Sequence, residues 1–358
     1  MSRVARSSLL VGVLLVALAL ILAGCGGDGG GGKEEETGGG ETNKGGETKA
    51  AGGGGSPGQI AIEGSSTVLP ITQAVAEGFN QQNPDVRITV GGSGTGDGFE
   101  AFCSGDTQIS DASRPIEDDE VQACQENGIE FVEIPVALDG LSVVVNSQND
   151  FANDITLGEL ATMWGPDAEG QVTQWSQVRS EWPEQRFNLY GPGTESGTFD
   201  FFTERVNGEE GASRSDYQAS EDDNVLVQGV SGDPNALGYF GFGYFEQNQQ
   251  QLKGLSVNGV TPSRETVQSS EYPLSRPLFI YVSTQALEEN PSVQEFVDFY
   301  LQQGNLESFV EQAQYIPLSD AGAQEARERF QNRTTGTAPE DALGAEEKGK
   351  GKEEEKTK

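Results

Sequence analysis

Residues 59–84, "QIAIEGSSTVLPITQAVAEGFNQQNP", limit the fold more than any other stretch of the chain. Six residues alternate apolar and polar like a strand entering a core. A run of Gly, Ser and Thr follows, and Ile71, Val75 and Phe79 then recur at four-residue spacing behind Pro70 until Asn83-Pro84 ends the pattern. The small residues read as the N-cap of that helix. The same passage from strand through small, donor-rich residues into a helix recurs in "VRITVGGSGTGDGFEAF" and in "FNLYGPGTESGTFDFF". Further strands are expected at 107–110, "FVEIP", "GLSVVVN" and "RPLFIYVS", and further helices at "ITLGELATMW" and at 291–303, where Val293, Phe296, Val297 and Tyr300 share a face. "ALGYFGFGYF" reads as a Gly-aromatic strand and turn whose rings, Tyr239, Phe240, Phe242, Tyr244 and Phe245, pack in the core rather than forming a sugar-stacking platform. This alternation predicts an α/β fold with a mainly parallel sheet and helices on both faces.

The ends differ from the middle. Arg3 and Arg6 precede an apolar run from Leu9 to Leu22, too short for a comfortable membrane span, and the run ends in "LAGC". That ending resembles a bacterial lipobox, so residues 1–24 are expected to be a lipoprotein signal peptide and Cys25 the site of lipid attachment. Between 26 and 58, 16 of 33 residues are glycine, which predicts a flexible tether over 25–59. The tail, 334–358, ends "EEKGKGKEEEKTK" and is expected to be disordered. What remains is long for one domain and suits two lobes joined by two crossings near 137–143 and 273–280. Lobe 1 would comprise 60–141 and 276–333, and lobe 2 142–275.

The chain has 57 acidic against 22 basic residues, a net charge of −35, and Lys253 is the only lysine in 60–333. Such a chain lacks the basic footprint of a nucleic-acid binder, and the acid reads as a solvated surface. It contains no histidine at all, which removes Ser-His-Asp and Cys-His catalysis and the commonest zinc ligand. There is no Walker-type phosphate loop, and no metal or cofactor is expected. Cys103 and Cys124, outside the cell, are expected to form a disulfide.

A helix start offers unpaired backbone N–H groups and the positive end of the helix dipole, and glycine lets a ligand approach the backbone closely. The guest it favours is an oxyanion. Taken together, "GSSTVLPI", "GGSGTGDGF", "ISDASRP", "PVALDGLSVVVN", "LYGPGTESGTFDFF", "ASRSDYQASEDDNVLVQGV" and "ALGYFGFGYF" resemble the phosphate-binding lipoproteins of the bacterial high-affinity phosphate ABC transporter, the PstS family, over most of 60–320. The resemblance implies a two-lobe type II periplasmic-binding-protein fold closing on one dehydrated phosphate. It also implies the contacts: Ser66, Thr67 and the Val68 backbone; Thr95 and Gly96, with Ser93 beside them; Ser113 in "SDASRP"; and Ser196, Gly197 and Thr198.

Two departures from the family's best-known branch stand out. Ser113 occupies the place of an aspartate, which leaves Asp111, Glu195, Asp97 and Asp139 as candidates to accept the phosphate proton, Asp111 first. Pro192 stands where that branch has an arginine four residues before the Ser of "SGT". Arg114 is expected to supply the cation, with Arg276 and Arg214 in reserve, unless it only pairs with Glu117, Asp118 or Asp119. The expected protein is an extracellular, lipid-anchored, monomeric receptor. It would hand inorganic phosphate to ABC transporter permease subunits, touch the membrane only through its lipid and bind no nucleic acid. Open alternatives are a receptor for sulfate, molybdate or tungstate, a phosphatase or serine hydrolase using Ser196 or Ser93, and a wall or adhesion protein.

Overall fold

A computed structural model describes residues 58–338. The expected signal peptide, Cys25, nearly all of the tether and most of the acidic tail lie outside the described residues. Among the described residues no helix is long and apolar enough to cross a membrane.

The chain alternates as its pattern requires. Strand β1 (Gln59–Gly64) feeds helix α1 (Leu69–Asn80), β2 (Arg87–Val90) feeds α2 (Thr95–Ser104), and β3 (Ile109–Ala112) feeds α3 (Asp118–Glu126). The long strand β4 (Phe131–Asn146) leads to β5 (Asp154–Ile155), α4 (Leu157–Trp164) and α5 (Trp175–Val178). Three more strand-helix units follow: β6 (Asn188–Gly191) with α6 (Gly197–Asn207), β7 (Gln218–Ala219) with α7 (Asp223–Gly232), and β8 (Ala236–Gly241) with α8 (Phe242–Gln247). Short strands β9 (Leu252–Gly254) and β10 (Ser256–Val257) and helix α9 (Arg264–Gln268) precede β11 (Ser275–Ser283). Helices α10 (Thr284–Glu289), α11 (Pro291–Leu301), α12 (Gln303–Gln312) and α13 (Asp320–Gln331) complete the fold.

The main sheet runs β2-β1-β3-β11-β4-β8-β6-β7, with β9 also on β4, and β5 pairs with β10 apart from it. On both flanks the pairs are parallel, β1 with β2 and β3 and β6 with β7 and β8, because helical crossovers connect them. In the centre β11 lies antiparallel to both β3 and β4, and β4 antiparallel to β8 and β9. The expectation of parallel sheets therefore describes the flanks, while the returning chain makes the middle antiparallel. The whole is a two-lobe α/β fold.

Sequence pattern placed two strands at "FVEIP" and "GLSVVVN"; they are one 16-residue strand, β4, buried along its entire length. Pro135 has no N–H to give the ladder. The register slips there, so that Phe279 faces Pro135 while Leu278 faces Ala137, and Val136 is the extra residue of a bulge. At Gly140 β4 faces Ser275 of β11; from Leu141 its partner is β8. Two smaller corrections concern boundaries. The strand expected at 107–110 occupies 109–112, and the second half of "ALGYFGFGYF" is helix α8 rather than a turn.

Tyr239, Phe240, Phe242 and Phe245 are buried, and Tyr239 stacks on Phe202 with ring centres 3.6 Å apart beside Trp164. A second, smaller core gathers Phe99, Phe102, Ile116, Phe131, Phe279 and Tyr281 around a Cys103–Cys124 disulfide that ties α2 to α3.

Candidate functional site

Three helix starts meet at one cleft. Before α1 the chain turns on Ser65, whose N–H donates to Asp111 O (2.8 Å), whose Oγ accepts from Thr67 N (3.1 Å) and whose carbonyl accepts from Leu69 N (3.0 Å). The N-cap is Val68, without a side-chain cap, rather than a Ser or Thr. Ser65 does the local work one turn earlier, which frees Ser66 and Thr67 of capping. The Val68 N–H is satisfied by Ser65 O (3.2 Å) and its side chain is fully buried, so Val68 is not among the cleft-lining residues.

Helix α2 starts after Gly94, whose φ of 113° suits glycine, and its ladder begins with Gly98 N–H on Gly94 O (3.0 Å). The amides of Thr95, Gly96 and Asp97 precede that bond. Thr95 Oγ1 accepts from Ser113 N (3.2 Å) and lies 3.1 Å from Ser113 Oγ, which joins the second expected opening to the "SDASRP" loop. Helix α6 is capped by Ser196, whose Oγ accepts from Thr198 N (3.2 Å). Its first residue, Gly197, comes so close to the α1 turn that a Cβ there would run into Thr67 Oγ1 and stand 2.9 Å from Ser66 Oγ. Only glycine allows the two loops to meet.

The cleft holds a cavity of about 540 Å³ lined by Ser65, Ser66, Thr67, Ser93, Thr95, Gly96, Ser113, Arg114, Gly197, Phe201 and Arg276. An adjoining chamber of about 440 Å³ shares Ser66, Thr67 and Gly197 and adds Ser196 and Thr198. Ser66, Thr67, Thr95, Gly96, Ser113, Ser196, Gly197 and Thr198 are thus brought together. Asp111 is not. It lies fully buried behind the α1 turn, outside both linings, with Oδ1 accepting from Thr72 Oγ1 (3.0 Å) and Oδ2 without a hydrogen-bond partner among the described residues. Burial pushes its pKa up to about 8.

The other carboxylate candidates divide. Asp97 lines the main cavity and Glu195 the adjoining chamber. Asp139 is buried and paired with Arg276, and burial pushes its pKa up against the pull of that guanidinium. Sequence reasoning missed Asp200, Glu204 and Glu210, all on the cavity wall. Asp200 sits one turn into α6; burial, and then Glu210, push it up to about 6. Its helical spacing from Ser196 was the available signal.

Arg114, the expected cation, lines the cavity but is already engaged. It forks onto Glu120 (Nη1 2.8 Å, Nη2 2.7 Å), and its Nε is 3.4 Å from Glu117. Glu120, which also caps the start of α3, is a partner the sequence did not suggest. Arg214 is buried against Asp216, Met163 O and Val172 O, outside both linings. Arg276, held in reserve, is the residue at the junction. Its Nη2 donates to Thr67 Oγ1 (2.9 Å) and to Gly197 O (2.8 Å), and its Nε to Asp139 Oδ2 (3.2 Å).

Two α/β lobes whose donor-rich helix starts face a shared cleft define a solute-binding receptor of the periplasmic type. A sequence profile described as the PBP superfamily domain matches residues 49–303. Protein SphX of Synechocystis is 50% identical over 283 residues, 78% of this chain and 84% of that one. The phosphate-binding protein PstS of Staphylococcus saprophyticus is 39% identical over 252 residues, 68% of this chain and 76% of its own. A crystal structure of a possible phosphate binding protein from Planctomyces limnophilus superposes with a TM-score of 0.73 at 44% identity, covering 77% of this chain and 98% of that one. The chain belongs to the PBP superfamily and, within it, to the PstS family of solute-binding receptors.

Proposed function

We propose that this protein captures inorganic phosphate between its lobes and delivers it to the permease of an ABC transporter. The observation that carries the reading is the meeting of three small-residue helix starts, from "GSST", "GGSGTG" and "ESGT", at one cleft. The first two line the main cavity with Ser66, Thr67, Thr95 and Gly96, and the third reaches it through Gly197 and lines the adjoining chamber with Ser196 and Thr198; small, donor-rich helix starts are the environment an oxyanion requires when it leaves water. The names of the relatives point to the same guest. Ser66, Thr67, Thr95, Gly96, Ser113, Ser196, Gly197 and Thr198 form the proposed cage. Lobe 1 is taken as 60–141 with 276–333 and lobe 2 as 142–275, and closure is a population shift stabilised because the anion bonds both lobes at once. No bond is made or broken. The "LAGC" sequence supports attachment through a lipid on Cys25 at the outer face of the membrane, with the receptor working as a monomer.

Calorimetry on ligand-stripped protein tests this. Phosphate is expected to give a saturable heat at 1:1 stoichiometry and a rise in Tm, while sulfate and molybdate at the same concentration give neither. A saturable heat from sulfate and none from phosphate would transfer the reading to another tetrahedral oxyanion. Hydrolysis of a chromogenic phosphate ester that is lost on Ser196→Ala or on Ser93→Ala would favour an enzyme.

A further inference from the structure

A phosphate entering this cleft meets an unfavourable field. The chain carries a net charge of −35, and the cavity wall itself presents Asp97, Asp200, Glu204 and Glu210. Backbone dipoles alone would have to overcome four neighbouring carboxylates, so a cation whose charge is not already spent decides whether an anion can stay. Among the described residues, Arg114 and Arg276 are the cations that line the cavity.

Their states differ. Both terminal nitrogens of Arg114 lie on Glu120, Nη1 also donates to Pro115 O, and a second carboxylate, Glu117, stands at Nε. Two acids share one base, and a forked pair of this kind is the arrangement an incoming anion displaces least readily. Arg276 has one charged contact, Nε to Asp139 Oδ2 at 3.2 Å. Its Nη2 serves two neutral acceptors, Thr67 Oγ1 and Gly197 O, and among the described residues Nη1 has no protein partner. The guanidinium lies 4.3 Å from the centre of the Phe201 ring, its side chain is 11% exposed, and Asp139 faces it directly across the β4–β11 ladder. A charge held in place and largely screened from water acts more strongly on a neighbour than a solvated one.

We propose that Arg276, not Arg114, is the cation that receives the anion, and that its bonds to Thr67 and Gly197 couple anion arrival to the joining of the lobes. Resting on the phosphate reading, this inference adds what the three helix starts do not contain. By donating to Thr67 Oγ1 the guanidinium leaves that hydroxyl's own proton free for the guest. By donating to Gly197 O it fixes the first turn of α6, so that the amides after Ser196 stay aimed at the cleft. One side chain therefore supplies charge and positions a donor from each wall.

Phosphate titrations compare the wild type with Arg276→Gln/Asp139→Asn and with Arg114→Ala. The double substitution removes the cation without stranding a buried carboxylate, and thermal melts establish that it folds. It is expected to weaken phosphate binding at least 100-fold, whereas Arg114→Ala changes it less than fivefold. Binding by the double variant within threefold of the wild type, or the larger loss in Arg114→Ala, overturns the proposal. If the wild type itself gives no heat with phosphate, the functional reading has failed rather than this one. A phosphate-bound crystal structure of the wild type decides without any variant: an anion oxygen within hydrogen-bond distance of Arg276 Nη1 is expected, and an anion held by Arg114 alone refutes the assignment.

Discussion

Asp111, which the sequence puts first among the candidates to accept the phosphate proton, has a different character in the fold. Behind the α1 turn it touches Thr72 rather than the cleft, and burial keeps it protonated up to about pH 8, against an ordinary 3.8. A folded state that holds a proton the unfolded chain has lost becomes less stable as pH rises between those two values. Asp111→Asn retains the acceptor for Thr72 without the titration. The wild-type Tm should therefore fall relative to that of Asp111→Asn as pH goes from 5 to 9; parallel curves would mean the carboxyl is not buried as described. Asp200 and Asp223, raised to about 6 and about 7, titrate in both proteins and cancel in the comparison. Ser66, Thr67, Thr95, Gly96 and Gly197, implied one by one by the family resemblance, line the cavity, and the helix starts that carry them were legible because such starts are local. Arg276 was legible only as a reserve cation, and its place at the junction was not, since Thr67 lies 209 positions away and only the β4–β11 register puts Asp139 opposite it.

At the scale of elements, hydrophobic spacing located the strands and helices around the cleft, and misjudged the places where one element overrides a local signal. Pro135 and Gly140 looked like the end of one strand and the start of another. The bulge at Val136 and the change of partner after Gly140 let β4 continue through both, because β11 and β8 together offer it a ladder along its length. Similarly, the Ser and Thr before α1 looked like caps, while Ser65, bonded to the end of β3, held the turn. The disulfide is a pairing of elements too. It joins the last turn of α2 to α3 across 21 residues and sits in the core shared with Phe102 and Phe131. Replacing both cysteines by serine should lower unfolding free energy by about 3 kcal/mol on the loop-entropy argument. Denaturant titration reads this as a lower midpoint, and an unchanged midpoint would show that the bond adds nothing to α2–α3 packing.

For the whole molecule the dominant quantity is charge, which was legible as a total while its arrangement was not. Four carboxylates on the cavity wall mean that the repulsion of an anion is local as well as global. At low salt the field extends about 30 Å, and at 0.15 M only about 8 Å. Phosphate association measured by stopped flow should therefore speed up several-fold between 10 and 150 mM salt, the reverse of ordinary electrostatic steering. A rate that falls with salt would show that the cage attracts from a distance. One last property follows from the strand order. β3 has β11 as its neighbour, so on the ribosome the edge of β3 stays open until residues 113–274 have been made and β11 follows. Nascent copies of this receptor thus carry an uncovered seam while residues 113–274 are being made, and their net negative charge opposes the pairing of that seam between neighbours on a polysome.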